Sequence, residues 1–259
     1  MKSMKNKLTN MGEAQAHAES CHWNSLGRIA ETEGRFISDA DKERIAGGVD
    51  TLKVVEYDPF GERSGGYRCL EGKSEMEISV LNKEQVERTT MHETNHFVSH
   101  HSETSVPSVE RNGVYEYQTV GLRHSSWFRS NETGKVQEVK ITGRGLNEGV
   151  TTMYTNRQLM ELDRAKGLEA ARTGIYQHAT ELSSQLEKIV GSDVLKEAYY
   201  GGKENELKER VDRLGGAGTY ERLRECMDGT VSPNYYERIN STARAQKIME
   251  ELYEGAKRK

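Results

Sequence analysis

Cysteine is scarce in this chain. Its 259 residues hold three, Cys21, Cys69 and Cys226, far apart and odd in number, so no disulfide framework is expected and isolated reduced thiols are. Cys21 adjoins His22 instead of standing a helical turn from it, so the pair lacks metal-ligand spacing. Long hydrophobic runs are missing as well. With 34% hydrophobic and 30% charged residues and a mean hydropathy of -0.83, no stretch approaches the roughly 20 apolar residues of a membrane helix. No membrane partner is expected. Met1 to Asn10 is basic without the apolar segment of a secretory signal, which makes a cytoplasmic location the expectation and signal-independent export the other route. Excess positive charge is lacking too: the net charge is -4 and the pI about 6.1. A nucleic-acid partner would need a clustered basic face to meet phosphates, and the short basic end Lys257-Arg258-Lys259 reads as a solvated tail. There is no internal repeat or low-complexity segment.

What the chain does have is His92-Glu93-Thr94-Asn95-His96. Two histidines four residues apart on a helix project from one face and can share a metal, while Glu93 between them is placed as a general base; H-E-x-x-H is a signature of zinc hydrolases for that reason. The surroundings suit a helix. Asn82 followed three residues later by Gln85 resembles a capping box, and neither Pro nor Gly interrupts Lys83 through His101. Upstream, Met76 to Val80 alternates apolar and polar residues as a half-buried strand does.

A catalytic zinc takes three protein ligands and leaves one position open, so a third ligand must come from elsewhere. Asn147-Glu148-Gly149 is the strongest candidate, because it puts a carboxylate at the start of a long helix-compatible stretch. His100, one turn beyond His96 on the expected helix, and His124, at a turn or strand end, remain open.

Over residues 75 to 160, His92-Glu93-x-x-His96 followed by Asn147-Glu148-Gly149 resembles the gluzincin arrangement of zinc metallopeptidases. It is similar in particular to bacterial zincin-like proteins with a Leu-Asn-Glu-Gly-hydrophobic-Thr stretch after the H-E-x-x-H helix. The resemblance implies Zn2+ as cofactor, His92, His96 and Glu148 as its ligands, Glu93 as general base and a peptide or protein as substrate. One position departs from that pattern. Four residues after the third ligand, where gluzincins often carry an acid that supports a zinc-bound histidine, this chain has Thr152. Family members also use a Tyr or His to stabilise the oxyanion; Tyr115, Tyr154, Tyr199, Tyr200 and His124 are the candidates here. The metzincin pattern fails, since positions 99 and 102 are Ser99 and Ser102.

The expected fold class is α+β and zincin-like, with a small mixed sheet packed on the H-E-x-x-H helix and a mainly helical C-terminal half. Residues 1–36 read as a polar, loosely packed segment of weakly helical pieces, 37–146 as an α+β subdomain and 147–259 as a helical subdomain carrying the third ligand. Within 37–146, Ser38 to Asp41 starts a helix that Gly47-Gly48 stops, residues 51–57 and 67–70 read as strands, and Asp58-Pro59-Phe60-Gly61 as a turn. Residues 114–120 and 135–141 both alternate and are expected to pair as an antiparallel hairpin, with a turn at Ser130 to Gly134. In the last part, Leu159, Leu162, Leu168, Ile175, Leu182, Leu186 and Val190 recur at helical spacing as a core stripe. The leading expectation is a zinc metallopeptidase. A zincin-like module that binds without catalysis, and an effector protease with one intracellular target, are the alternatives.

Overall fold

Local capping chemistry starts the first two helices. In the computed structural model, which describes residues 10–56, 65–70, 73–80, 83–166 and 176–258, the Asn10 side chain accepts from Glu13 N at 2.8 Å and opens α1 (Met11–Glu33). Ser38 does the same for α2 (Asp39–Ala46), which stops at Gly47 as expected. The reading of the first 36 residues as loose, weakly helical pieces is corrected over α1, a single helix of 23 residues. Ala14, Ala18, Cys21, Leu26 and Ile29 line its buried face. Gly12 and Gly27 lie on the exposed side, where they weaken intrinsic helix propensity but take nothing from this face, and packing decides.

The chain forms two compact units. The first comprises Met1–Ser99 and Tyr154–Ala170, the second His100–Met153 and Ala171–Lys259. In the first, β1 (Thr51–Glu56), β2 (Gly65–Leu70) and β3 (Lys73–Val80) make a sheet of order β1-β3-β2. β1 runs parallel to β3 and β2 antiparallel, the small mixed sheet that was expected. Helix α3 (Lys83–Val98) packs on β2 and β3, and α1 packs on α3 and β1. The free edge of β1 is covered by one side chain: the Gln15 carboxamide donates to Leu52 O at 2.8 Å and accepts from Val54 N at 2.9 Å. The expected turn at Asp58 to Gly61 and the Asn82 cap fall outside the described residues.

The second unit holds an antiparallel meander of β4 (His101–Pro107), β5 (Gly113–Val120), β6 (Arg123–Ser130) and β7 (Val136–Thr142) in that spatial order. The expected pairing of 114–120 with 135–141 is corrected: both are strands, but β6 lies between them and pairs with each. Arg123-His124-Ser125-Ser126-Trp127-Phe128-Arg129-Ser130 lacks the alternation that reveals a strand, because most of its side chains are half-buried on both faces of the sheet. The turn at Ser130 to Gly134 forms, closed by a Gly134 N to Ser130 O bond of 2.9 Å.

From α4 (Arg144–Lys166) onward the described chain is helical, through α5 (Gln177–Val190), α6 (Ser192–Gly201), α7 (Glu204–Gly215), α8 (Thr219–Thr230) and α9 (Tyr235–Lys257). Gly202 and Gly216 end α6 and α7. Leu182, Leu186 and Val190 are core, Leu159 and Leu162 are half-buried, and Leu168 and Ile175 lie outside the described residues. The three cysteines are buried, and none is in a disulfide. Among the described residues no helix is long and apolar enough to cross a membrane.

Candidate metal centre

His92 and His96 stand one turn apart on α3 with their Nε2 atoms 3.1 Å from each other and their rings at 80°. Two ring acceptors this close repel unless a proton or a cation lies between them. Imidazoles sharing one tetrahedral zinc at about 2.05 Å would hold these atoms about 3.3 Å apart. Glu148, in the first turns of α4, completes a group whose ligand atoms all lie within 4.8 Å of one another. It is the one such group among the described residues. His96 and Glu148 are 6% and 8% exposed, while His92 is half-buried. The donor set of two imidazoles and a carboxylate fits zinc.

Glu93 points inward from the same turn and is 6% exposed. Beside it is Gly65 at the start of β2, where an added Cβ would stand 3.3 Å from Glu93 Oε1 and run into Thr89. Gly65 therefore keeps side-chain atoms out of the space beside that carboxylate.

Three side chains fix α3 within the first unit. The Arg44 guanidinium donates to the carbonyls of Phe97 and, at 2.9 Å, Ser99, while the buried Asp41 carboxylate holds it from the other side. A cation on the last carbonyls suits the negative end of the helix dipole. His22 on α1 meets the Thr94 hydroxyl through Nδ1 at 2.9 Å, and burial lowers its pKa to about 4, so the ring is neutral at pH 7. Asn95 Nδ2 reaches Thr155 Oγ1 and Gln158 Oε1 on α4, each at 3.1 Å.

The start of α4, residues 144–153, belongs to the second unit and is held by close backbone approach. Gly143 has φ +74, and its N–H and that of Gly145 donate to Asp228 at 2.9 and 2.8 Å. Burial nevertheless pushes the Asp228 carboxyl up, against the pull of those two donors and of nearby arginines. An added Cβ at Gly145 would land on the Met227 carbonyl, and one at Gly149 would stand 2.5 Å from Ala179 O. Asn147 accepts from Leu122 N at 2.9 Å, and Thr151 shares a 2.7 Å bond with Tyr199 OH. The residues flanking Glu148 thus have structural work of their own.

His100 and His124 are not in that group, and the tyrosine candidates have packing partners of their own. The expectation that His100 continues the α3 face is corrected: α3 ends at Val98, His100 lies in the connection and His101 begins β4. The His100 ring sits against Gly202, where an added Cβ would be 2.6 Å from its Cδ2. His124 is at the start of β6, bonded to Thr119 and paired with Glu204. Burial raises the Glu204 pKa, but the His124 bond and charge, the Tyr220 hydroxyl and Arg224 outweigh it and the net shift is downward. Tyr115 packs on Phe128 at 5.2 Å, Tyr154 is buried under Arg157, and Tyr200 packs edge-on to Tyr199 at 4.8 Å. The Thr152 hydroxyl is buried with no hydrogen-bond partner among the described residues.

Sequence reasoning missed Arg44, Gln158 and Thr155, whose partners are 53 to 63 residues away along the chain. Only Asn95, a polar residue within a buried motif, carried any local signal. Comparison with family models, curated proteins and solved structures finds no match.

Proposed function

We propose that this chain is a zinc-dependent metallopeptidase of gluzincin type that hydrolyses a peptide or protein substrate. One observation carries the reading: His92, His96 and Glu148 converge on a volume fit for one ion, with Glu93 in the same turn of α3 as both histidines. The mixed sheet against α3 is consistent with a zincin fold. Zinc bound there would supply Lewis acidity, lowering the pKa of water and polarising a substrate carbonyl. The work of the chain is to move the proton. A Glu93 oxygen takes it from the attacking water and returns it to the leaving amine, and burial of Glu93 restricts competition from bulk solvent. His92, His96 and Glu148 would hold the ion, and a zinc with three protein ligands would keep a position open for water or substrate.

The test is digestion of a mixed peptide library read by mass spectrometry. Wild type should cut, a chelator should stop it and added zinc should restore it. Glu93→Gln should keep the fold and lose a factor of about 10²–10⁴ in rate. Cleavage by Glu93→Gln at the wild-type rate would contradict the assigned role.

A further inference from the structure

We propose that Asn95 is a positioning residue of the metal centre: its bonds to Thr155 and Gln158 set the register of α4 against α3 and so place Glu148 opposite His92 and His96. The inference rests on the reading of those three residues as ligands. Asn95 is 0% exposed. Its Nδ2 is shared among Met91 O at 3.0 Å, Thr155 Oγ1 at 3.1 Å and Gln158 Oε1 at 3.1 Å, and Gln158 Nε2 returns a 3.4 Å bond to Asn95 Oδ1. The two carboxamides therefore bond reciprocally, with a hydroxyl alongside.

Such a pair is directional, whereas an apolar contact in its place would not be. Sliding α4 by one residue moves each of its side chains by about 1.5 Å along the axis and 100° around it, which would break every bond of the lock. Thr155 lies seven residues beyond Glu148 on one unbroken helix, almost two full turns, so the two share a face about 10 Å apart. Whatever fixes Thr155 against Asn95 is passed along the helix to Glu148. Metal–ligand distances tolerate about ±0.2 Å, far less than a register slip. Asn95 also sits between Glu93 and His96, so the lock takes its reference from the turn that carries the histidines.

The test is a double-mutant cycle on zinc affinity, measured by chelator competition for wild type, Asn95→Ala, Glu148→Ala and the double variant. Asn95→Ala should weaken binding about 10- to 100-fold in the wild-type background. It should have less than about a threefold effect once Glu148 is gone, because nothing is then left to position. Equal loss in both backgrounds would mean a general structural effect and would overturn the proposal. Should Asn95→Ala not fold, Asn95→Leu with Gln158→Leu removes both carboxamides and leaves no orphaned amide. With Co2+ in place of zinc, that variant should show the absorption of Glu148→Ala; the wild-type spectrum would overturn the proposal. Failure of the ligand reading looks different, since wild type would then bind no more zinc than Glu148→Ala.

Discussion

Helices α3 and α4 carry the three candidate ligands, yet they are held in opposite ways. Side chains clamp α3: Arg44 caps its final carbonyls and His22 meets Thr94 from other helices, and its own Asn95 ties it to α4. The start of α4 is held by what its residues lack, with Gly145 and Gly149 letting the backbones of α8 and α5 come close. A side-chain clamp can be weakened in steps, by truncation or by titration. A backbone approach tolerates no added atom, so one methyl should do more damage there than the loss of a whole guanidinium elsewhere.

The largest effect is expected at α4. Gly145→Ala sets a Cβ on the Met227 carbonyl, a backbone atom that cannot swing away, and should cost about 4 kcal/mol or more of stability. Urea denaturation measures it. A variant within about 0.5 kcal/mol of wild type would erase the contrast between the helices.

The α3 clamps should respond to acid. The folded-state pKa of His22, about 4, lies below its ordinary value of 6.5, so between those values the unfolded chain binds the proton first. The stability that neutral His22 brings is complete above pH 6.5 and lost as pH falls toward 4, amounting to roughly 3 kcal/mol. Urea unfolding across that window should show this slope in wild type and not in His22→Leu; the same slope in both would assign it to other groups.

Arg44→Ala should have a smaller effect, about 2 kcal/mol, since it uncaps two carbonyls and leaves the buried Asp41 carboxylate without its guanidinium. Amide exchange should quicken in the last turn of α3 while α4 stays protected. Arg44→Lys should recover part of the loss, because one ammonium cannot reproduce the fork that reaches both carbonyls and Asp41. Uniform exchange across both helices would show that the clamp is not local to α3.

Much of α3 was legible in the sequence, and little of what holds it was. The histidine spacing, the alternation of β3 and the Ser38 and Gly47 boundaries of α2 are local signals, decided within a few residues. Glu148 was visible through its Asn-Glu-Gly setting, although the reasons for the flanking residues, Leu122 N against Asn147 and Ala179 against Gly149, emerge only from the fold. The misread elements depend on distant partners. No Pro or Gly marks the end of α3, because Arg44 completes it from another helix. α1 looked weak because its glycines mask an apolar face that matters only against α3 and β1. β6 was hidden by its lack of alternation between two partner strands.

Metal content decides whether the two helices meet for the purpose inferred. Purified wild type and Glu148→Ala, gently prepared and assayed by elemental analysis, should hold about one zinc per chain and little zinc respectively. Wild-type protein that holds none and cannot be loaded would contradict a catalytic metal centre at His92, His96 and Glu148.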